Sequence, residues 1–348
     1  MNNAFNIHSA IFAILLVTSG GPAIAETDIP HPTYTWSLTP TSGDWDTPTN
    51  WDPEGVPDSN ERAVFGASAV TNITSSTFND LRSITFESGA SPYTITGDFS
   101  FDREGVFNNS GVVQTFTGGF GFERGATAGS LVTYNVTSFT DIGNAESATF
   151  NVYDYVSFFG SSRDGIATAA NGTFYNSGFI EFRKLSTADQ ATFINYGGTS
   201  FGADGAEMFF KRTSAASSTI ILYGGTVFGA HGARCFFLNS AASSATLIAY
   251  GGAGDSRSGG SILFTTSYGG TARVEVFGNG NLDMSRLEAA NTTIGSLEGD
   301  GFVYIGGGPL KIGGNNLNTT FAGTITEEGG IHQGGPGSIS KTLSLIHI

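Results

Sequence analysis

The segment YGGTVFGAHGARCFF, residues 223–237, contains the chain's only cysteine, Cys235, with His231 and Arg234 shortly before it. A reactive thiol needs a base or a cation nearby to lower its pKa, and these two side chains could supply one. The spacing is compatible with a cysteine nucleophile, and it is also compatible with a buried cysteine in a packed wall. The elements that position the three residues decide between these interpretations.

Composition narrows the fold class. The chain has 348 residues, of which 50 are glycine; 39% of the residues are hydrophobic, 12% aromatic and only 13% charged. This is too apolar for a disordered chain, and too rich in glycine and too poor in charge for a helical one. We expect an all-β protein with many turns. With one cysteine, the chain has no internal disulfide available.

The charge balance bears on the partners. The chain has 15 Lys and Arg residues against 30 Asp and Glu residues, which gives a net charge of -15. Binding to a phosphate backbone depends on clusters of Lys and Arg that release counterions, and such clusters are absent from the sequence. We therefore expect no nucleic-acid partner.

The N-terminus has the pattern of an export signal. A short apolar core, residues 11–17, is followed by the helix-breaking residues 20–22 and then by Ala23 and Ala25, the small residues that precede a signal-peptidase cut before Glu26. The apolar core is too short to span a bilayer. We expect residues 1–25 to be a signal peptide and the chain to be exported.

One pattern recurs along the chain. It reads TFINYGGTSFGADGAEMFF from Thr192, TIILYGGTVFGAHGARCFF from Thr219 and TLIAYGGAGDSRSGGSILF from Thr246, each start 27 residues after the one before. A unit of this size cannot bury its apolar face alone and stacks on its neighbours. Short alternating strands with glycine corners then predict a parallel β-helix with coils of roughly 19 to 27 residues.

In such a fold, residues 27 positions apart lie one above another, separated by roughly 4.8 Å. Cys235 is then expected between Met208 and Ile262. Because this column is apolar throughout, it favours a buried, unreactive cysteine over a nucleophile. We expect Phe209, Phe236 and Leu263 to form a second buried stack, and Phe237 to stack between Phe210 and Phe264.

The same register explains the charged side chains near Cys235. His231 falls over Asp204, and Arg234 falls over Glu207. We expect both pairs to face outwards from the coil wall, each contributing about 0.2–1 kcal/mol.

A family resemblance rests on several motifs. Residues 291–342, NTTIGSLEGDGFVYIGGGPLKIGGNNLNTTFAGTITEEGGIHQGGPGSISKT, resemble the passenger region of bacterial autotransporter-associated β-strand repeat proteins. The YGGTxFGAxGA coils, the NNSGVVQTF stretch and the tryptophan spacing of residues 36–51 are similar to the same proteins. The resemblance implies a right-handed parallel β-helix exported to the surface of a Gram-negative-type cell, with no shared catalytic residues and no cofactor.

The expected organisation follows. Residues 1–25 form the signal peptide, residues 26–115 an N-terminal cap and the first coils, and residues 116–342 the β-helix repeats. The last six residues, LSLIHI, are what CTG TCT CTT ATA CAC ATC encodes, which resembles a transposon end used in sequencing libraries. We expect residues 343–348 to be such an artefact and the chain to be an N-terminal fragment, whose missing part could hold an outer-membrane translocation barrel.

The tryptophan-rich segment has two interpretations. Trp36, Trp45 and Trp51, interleaved with aspartate and asparagine, could form a platform on which a glycan stacks. The favoured interpretation is a cap, because the first coil of a solenoid exposes an apolar cross-section and unpaired strand edges.

Two classes of function remain open. The first is a non-enzymatic surface or secreted segment with a structural or adhesive role, used for adhesion, matrix formation or presentation of other domains, with glycans or extracellular matrix components as possible partners. The second is a polysaccharide-binding or polysaccharide-degrading β-helix protein, which would need two or three convergent acids with a nearby cation. The candidates are Asp164 with Arg163, Asp189 with Lys184, Asp204, and Asp255 with Arg257. The 27-residue register brings no two of these acids into one column, and the motif GGAGDSRSGG, residues 251–260, does not recur as a calcium-binding coil would.

Overall fold

The structure, a computed structural model, describes residues 31–162, 165–255, 257–286, 292–332 and 336–342. The predicted signal peptide, the pair of Arg163 and Asp164 and the C-terminal hexamer lie outside these residues. In the described residues the chain is almost entirely strand and turn, with one short 3-10 turn at Pro48–Asn50 and no α-helix. The all-β prediction is confirmed.

The strands, numbered β1 to β29 in chain order, stack into three walls. Wall A contains the first residues of β4 (Asn72–Phe86) and β5 (Thr94–Asn108), then β6 (Gln114–Gly118), β8 (Val132–Val136), β10 (Thr149–Val152), β13 (Thr173–Asn176), β16 (Thr192–Asn195), β18 (Thr219–Leu222), β20 (Thr246–Ala249), β22 (Arg273–Val276) and β25 (Ser296–Gly299). Neighbouring strands in this wall pair in parallel.

Wall B follows wall A in every coil. It contains the middle of β4 and β5, then β7 (Phe120–Glu123), β9 (Thr140–Asp141), β11 (Tyr155–Gly160), β14 (Phe179–Lys184), β17 (Glu207–Lys211), β19 (Arg234–Leu238), β21 (Ser261–Thr265), β23 (Asn281–Asp283), β26 (Phe302–Tyr304) and β28 (Thr324–Thr326).

Wall C is less regular. It contains β1 (Thr33–Trp36), β3 (Arg62–Phe65), the ends of β4 and β5, β12 (Ala167–Thr168) and β15 (Ser186–Thr187), joined in the middle coils by single bridges. A separate parallel sheet comprises β24 (Thr292–Ile294), β27 (Pro309–Ile312) and β29 (Ser338–Lys341).

The register confirms the parallel β-helix. Thr192, Thr219, Thr246 and Arg273 pair in succession on wall A, one coil of 27 residues apart each time. In the wall A strands of these coils, buried and partly exposed residues alternate, because successive side chains of a strand point to opposite faces. The buried set fills the interior of the solenoid.

The core is built from columns of identical or similar side chains. Phe158, Phe182, Phe210, Phe237 and Phe264 form an inner ladder on wall B, with ring centroids 4.4 to 4.9 Å apart. Each ring is nearly parallel to the next, because each strand repeats the previous one at the inter-strand spacing. These columns hold successive coils together.

The structure corrects one predicted column. Phe209 and Phe236 pair in register with Leu263 as expected, but the two phenylalanines are only half-buried and lie on the outer face of wall B. Only Leu263, 4% exposed, is buried. Two adjacent residues of one strand cannot both point inwards, so the burial of the Met208 column excludes the Phe209 column from the core.

The tryptophan-rich segment closes onto the first coils. Strand β2 (Trp51–Asp52) pairs antiparallel with β1, on which β3 pairs in parallel. This short antiparallel strand covers an edge of β1 that would otherwise expose unpaired backbone groups. The geometry agrees with the cap interpretation. In the described residues, no helix is long and apolar enough to cross a membrane.

Candidate binding groove

Cys235 is a core residue. It is completely buried between Met208 and Ile262, in the predicted register, and burial raises the pKa of its thiol well above the ordinary value. His231 Nδ1 lies 2.7 Å from Asp204 Oδ1, and Arg234 Nη2 lies 2.7 Å from Glu207 Oε1. Both pairs face outwards, as predicted, and neither cation serves the thiol. The column interpretation of Cys235 is confirmed.

The three tryptophans are enclosed. Trp36, Trp45 and Trp51 are at most 3% exposed. Trp51 makes edge-to-face contacts with both other indoles, at 5.0 and 4.7 Å between centroids, and all three contact Phe65. The rings leave no open face on which a sugar could stack while this packing persists.

The acids proposed for catalysis occupy turns. Asp189 follows β15, and its backbone N–H donates to Thr187 Oγ1. Asp204 Oδ1 is hydrogen-bonded to His231 Nδ1. Asp255 Oδ1 accepts a hydrogen bond from the backbone N–H of Arg257 at 3.0 Å. The part of the chain that the structure describes contains no group of three or more His, Cys, Asp or Glu residues arranged to hold a metal ion.

A feature that the sequence reading missed lies on the outside of wall B. Phe139, Tyr155, Phe179, Phe209 and Phe236 stack ring on ring, with centroids 4.4 to 5.2 Å apart. We call this the outer ladder. The signal was present in the sequence as aromatic residues at outward positions of successive coils, but the 27-residue spacing assigned two of them to the core.

A buried carboxylate anchors the outer ladder. Glu181 is completely buried and forms ion pairs with Arg183 and Lys211, while the Tyr155 hydroxyl donates to it at 2.6 Å. Burial opposes ionisation of Glu181, but the hydrogen bonds from these three partners outweigh it and hold its pKa below the usual value. Lys211 Nζ also lies 5.0 Å from the centre of the Phe209 ring, a cation–π distance.

At one end of the outer ladder the wall opens into a groove of about 490 Å³. The floor consists of two adjacent columns of wall B, and the sides are formed by Arg257 with Gly259 and by the loop 329–331. The floor column that continues the ladder is Phe236, Leu263, Asp283 and Tyr304, and the column beside it contains Arg234, Ser261 and Asn281. We call this the wall B groove.

One side of the groove is held by a buried carboxylate. Asp283 is 4% exposed, and its oxygens accept hydrogen bonds from the Ser285 backbone N–H, the Ser285 hydroxyl and the Ile331 backbone N–H, at 2.9, 2.6 and 2.7 Å. At Gly330 a Cβ atom would lie 2.6 Å from Asp283 Oδ1, so a larger residue could not approach as closely. Asp283 therefore acts as the anchor of the loop 329–332.

The groove presents hydrogen-bond donors without partners. Asn281 is 5% exposed, and Ser261 Oγ lies 2.5 Å from its amide oxygen, but the amide nitrogen has no hydrogen-bond partner among the described residues. If the amide were turned round, its oxygen would be the free atom instead. Within the same part of the chain, the Tyr304 hydroxyl has no partner either.

Two cations line the same groove. Arg257 is exposed and, among the described residues, has no acidic side chain within ion-pair distance. Arg234 has its guanidinium carbon 6.0 Å from the centre of the Phe236 ring and pairs with Glu207 on its other side. Arg234 Nε is buried and has no hydrogen-bond partner among the described residues. Buried polar groups in folded proteins nearly always have a partner, so this atom indicates bound water or a ligand in the groove.

Comparison with known protein families, with curated proteins and with solved structures finds no match to this chain. Fold and site together define a parallel β-helix solenoid with a polar-sided groove on its outer wall.

Proposed function

We propose that this protein is an exported, non-enzymatic β-helical segment that acts at the cell surface or after secretion, in adhesion. The observation that carries the proposal is the outer ladder leading into the wall B groove, a contact surface on a rigid stack of coils. A groove that combines an apolar patch, here Phe236 and Leu263, with convergent polar groups is a usual form of ligand site. The export signal predicted at residues 1–25 and the motif resemblance add support.

The groove supports binding better than catalysis. Of the described residues that line it, Asp283 is the one acid, and both of its oxygens accept hydrogen bonds from Ser285 or Ile331. A general acid or base must be within reach of the substrate proton and free to exchange it. A polysaccharide-binding protein, the alternative derived from the sequence, shares this groove, so the two hypotheses differ mainly in the target.

The test uses residues 1–348, with the predicted signal peptide included, expressed in a Gram-negative-type host. Cell fractionation should place the protein outside the cytoplasm, and the purified protein should adhere to surfaces coated with glycans or matrix components. Incubation with acidic and neutral polysaccharides should release no shorter products. Retention in the cytoplasm, or steady release of oligosaccharides, would contradict the proposal.

A further inference from the structure

We propose that the wall B groove binds an acidic saccharide unit, with its carboxylate held by Arg257 beside Arg234 and its ring oxygens held by Asn281 and Tyr304. This inference rests on the proposed function and names the class of ligand. It follows from the hydrogen-bonding groups of the groove, from the apolar patch of Phe236 and Leu263 on its floor and from the charge of the molecule.

Most of the polar side-chain groups that line the wall B groove are hydrogen-bond donors. The Arg257 and Arg234 guanidinium groups have no acceptor atoms, and the Tyr304 hydroxyl and the free end of Asn281 add two more polar groups. The two carboxylate oxygens of Asp283 already accept hydrogen bonds, one from Ser285 and the other from Ile331 of the loop 329–332. A matching ligand must therefore present several oxygen acceptors, at least one of them charged, at separations that span neighbouring coils.

The side chains on the floor of the groove indicate which uncharged part of a ligand would fit there. Phe236 is half-buried and Leu263 is 4% exposed, so the floor of the groove has an apolar patch among polar side chains. A pyranose has the same arrangement, with C–H groups on its faces and oxygens around its rim. The volume of about 490 Å³ lies within the roughly 300–1,000 Å³ that is usual for small-molecule sites.

The net charge limits the spacing of the acids in the ligand. The whole chain carries a charge of -15, so a densely charged polyanion would be repelled along most of the surface. A polymer in which carboxylates alternate with neutral sugars brings one charge at a time to Arg257. An acidic peptide shares the carboxylate but lacks the ring of hydroxyl oxygens, and it serves as the competing outcome below.

The experiment is calorimetric titration of the full chain with a short oligosaccharide in which uronate alternates with neutral hexose. We expect saturable binding that is lost on conversion of the uronates to methyl esters. Arg257→Gln and Tyr304→Phe should each weaken binding on the order of tenfold, the effect of a lost hydrogen bond to a charged or buried partner. Arg212→Gln and Tyr268→Phe are the controls, because they make the same chemical changes at exposed residues that do not line the groove.

The outcomes separate this inference from the proposed function. Equal binding of the acid and its methyl ester, unchanged binding by both groove variants, or tighter binding of a glutamate peptide of equal charge would overturn the inference. In each of these cases adhesion of the protein to glycan or matrix surfaces would leave the proposed function intact. Because Arg257 is exposed, Arg257→Gln should keep the unfolding transition of the parent protein, which excludes misfolding as the cause of a loss.

Discussion

At the scale of single residues, the direction of a side chain decides its role more than its type does. Phe236 and Phe237 are neighbours in β19, yet one ring belongs to the outer ladder and the other to the core. Cys235, one position before Phe236, shares the inward face with Phe237. The chemistry of a thiol flanked by cations is absent here because the strand turns the thiol inwards and the cations outwards.

This alternation gives a matched pair of substitutions. Phe237→Ala removes a fully buried ring from the inner ladder and should lower the free energy of unfolding by about 3–5 kcal/mol. Phe236→Ala removes a half-buried ring and should lower it by about 1–2 kcal/mol. Urea unfolding followed by circular dichroism measures both. Equal losses for the two variants would contradict the assignment of faces.

The burial of Cys235 predicts its reactivity. Because the thiol is completely buried and its pKa is raised by burial, a thiol reagent should modify it only as fast as the protein opens. The readout is the labelling rate under native conditions against the rate in denaturant, where modification should be complete. Rapid native labelling would revive the hypothesis of a reactive cysteine.

Glu104 predicts a pH dependence of stability. Hydrogen bonds from Arg62, chiefly, and from Arg82 outweigh burial and lower the pKa of Glu104 from 4.5 to about 2. A lowered pKa means that this stabilisation is present above pH 4.5 and is lost as the pH falls towards 2. Since the carboxylate is 24% exposed, its contribution is about 1–3 kcal/mol. Glu104→Gln should be less stable at neutral pH and should lack this acid step; an unchanged pH profile would contradict the prediction.

At the scale of elements, the walls depend on close approach of successive coils at their corners. Gly232 lies in the turn before β19, where a Cβ atom would be 2.1 Å from the carbonyl oxygen of Gly259 in the next coil. A side chain there has to push two coils apart. The absence of a side chain at Gly232 therefore allows β19 and β21 to pair, in addition to allowing the turn.

The close contact at Gly232 predicts the effect of an alanine substitution at this position. Gly232→Ala should lower the free energy of unfolding by about 1–3 kcal/mol through overpacking against backbone. Gly66→Ala is the control, because no heavy atom lies within 4 Å of the added methyl group. Its stability should be unchanged or slightly raised, since alanine reduces the freedom of the unfolded chain. If Gly66→Ala lowered the free energy of unfolding as much as Gly232→Ala, the overpacking explanation would be contradicted.

At the scale of the whole molecule, stability is distributed over nearest-neighbour contacts between coils, as in other solenoids. The inner ladder and the outer ladder run along this stack, so each coil presents the same two faces to its neighbours. The charge of the molecule is a second global property, with twice as many acidic as basic residues.

The acidic character predicts the behaviour of the molecule towards nucleic acids. Because counterion release requires clusters of basic residues, the protein should not retard DNA or RNA in gel electrophoresis at physiological salt. The same preparation should retain its calorimetric response to the acidic oligosaccharide, which serves as the activity control. Salt-sensitive retardation of nucleic acid would show that local basic surface outweighs the net charge.

Much of the fold could be read from the sequence. Glycine content, strand-like alternation and the repeat starting at Thr192, Thr219 and Thr246 determined the all-β class, the parallel β-helix and the register around Cys235. They also determined the outward pairs of His231 and Arg234. These features depend on short-range periodicity and on a constant coil length, both of which are visible in one dimension.

The wall B groove was decided only by the tertiary structure. Ser261, Asn281 and Phe302 pair in register, but the coils that join them are shorter than 27 residues, so the repeat no longer indicates which side chains are neighbours. The loop 329–332 reaches Asp283 across more than forty residues of sequence through two backbone hydrogen bonds, to Asp283 and Ser285. Contacts of this kind depend on the packing of whole coils, for which no local pattern in the sequence exists.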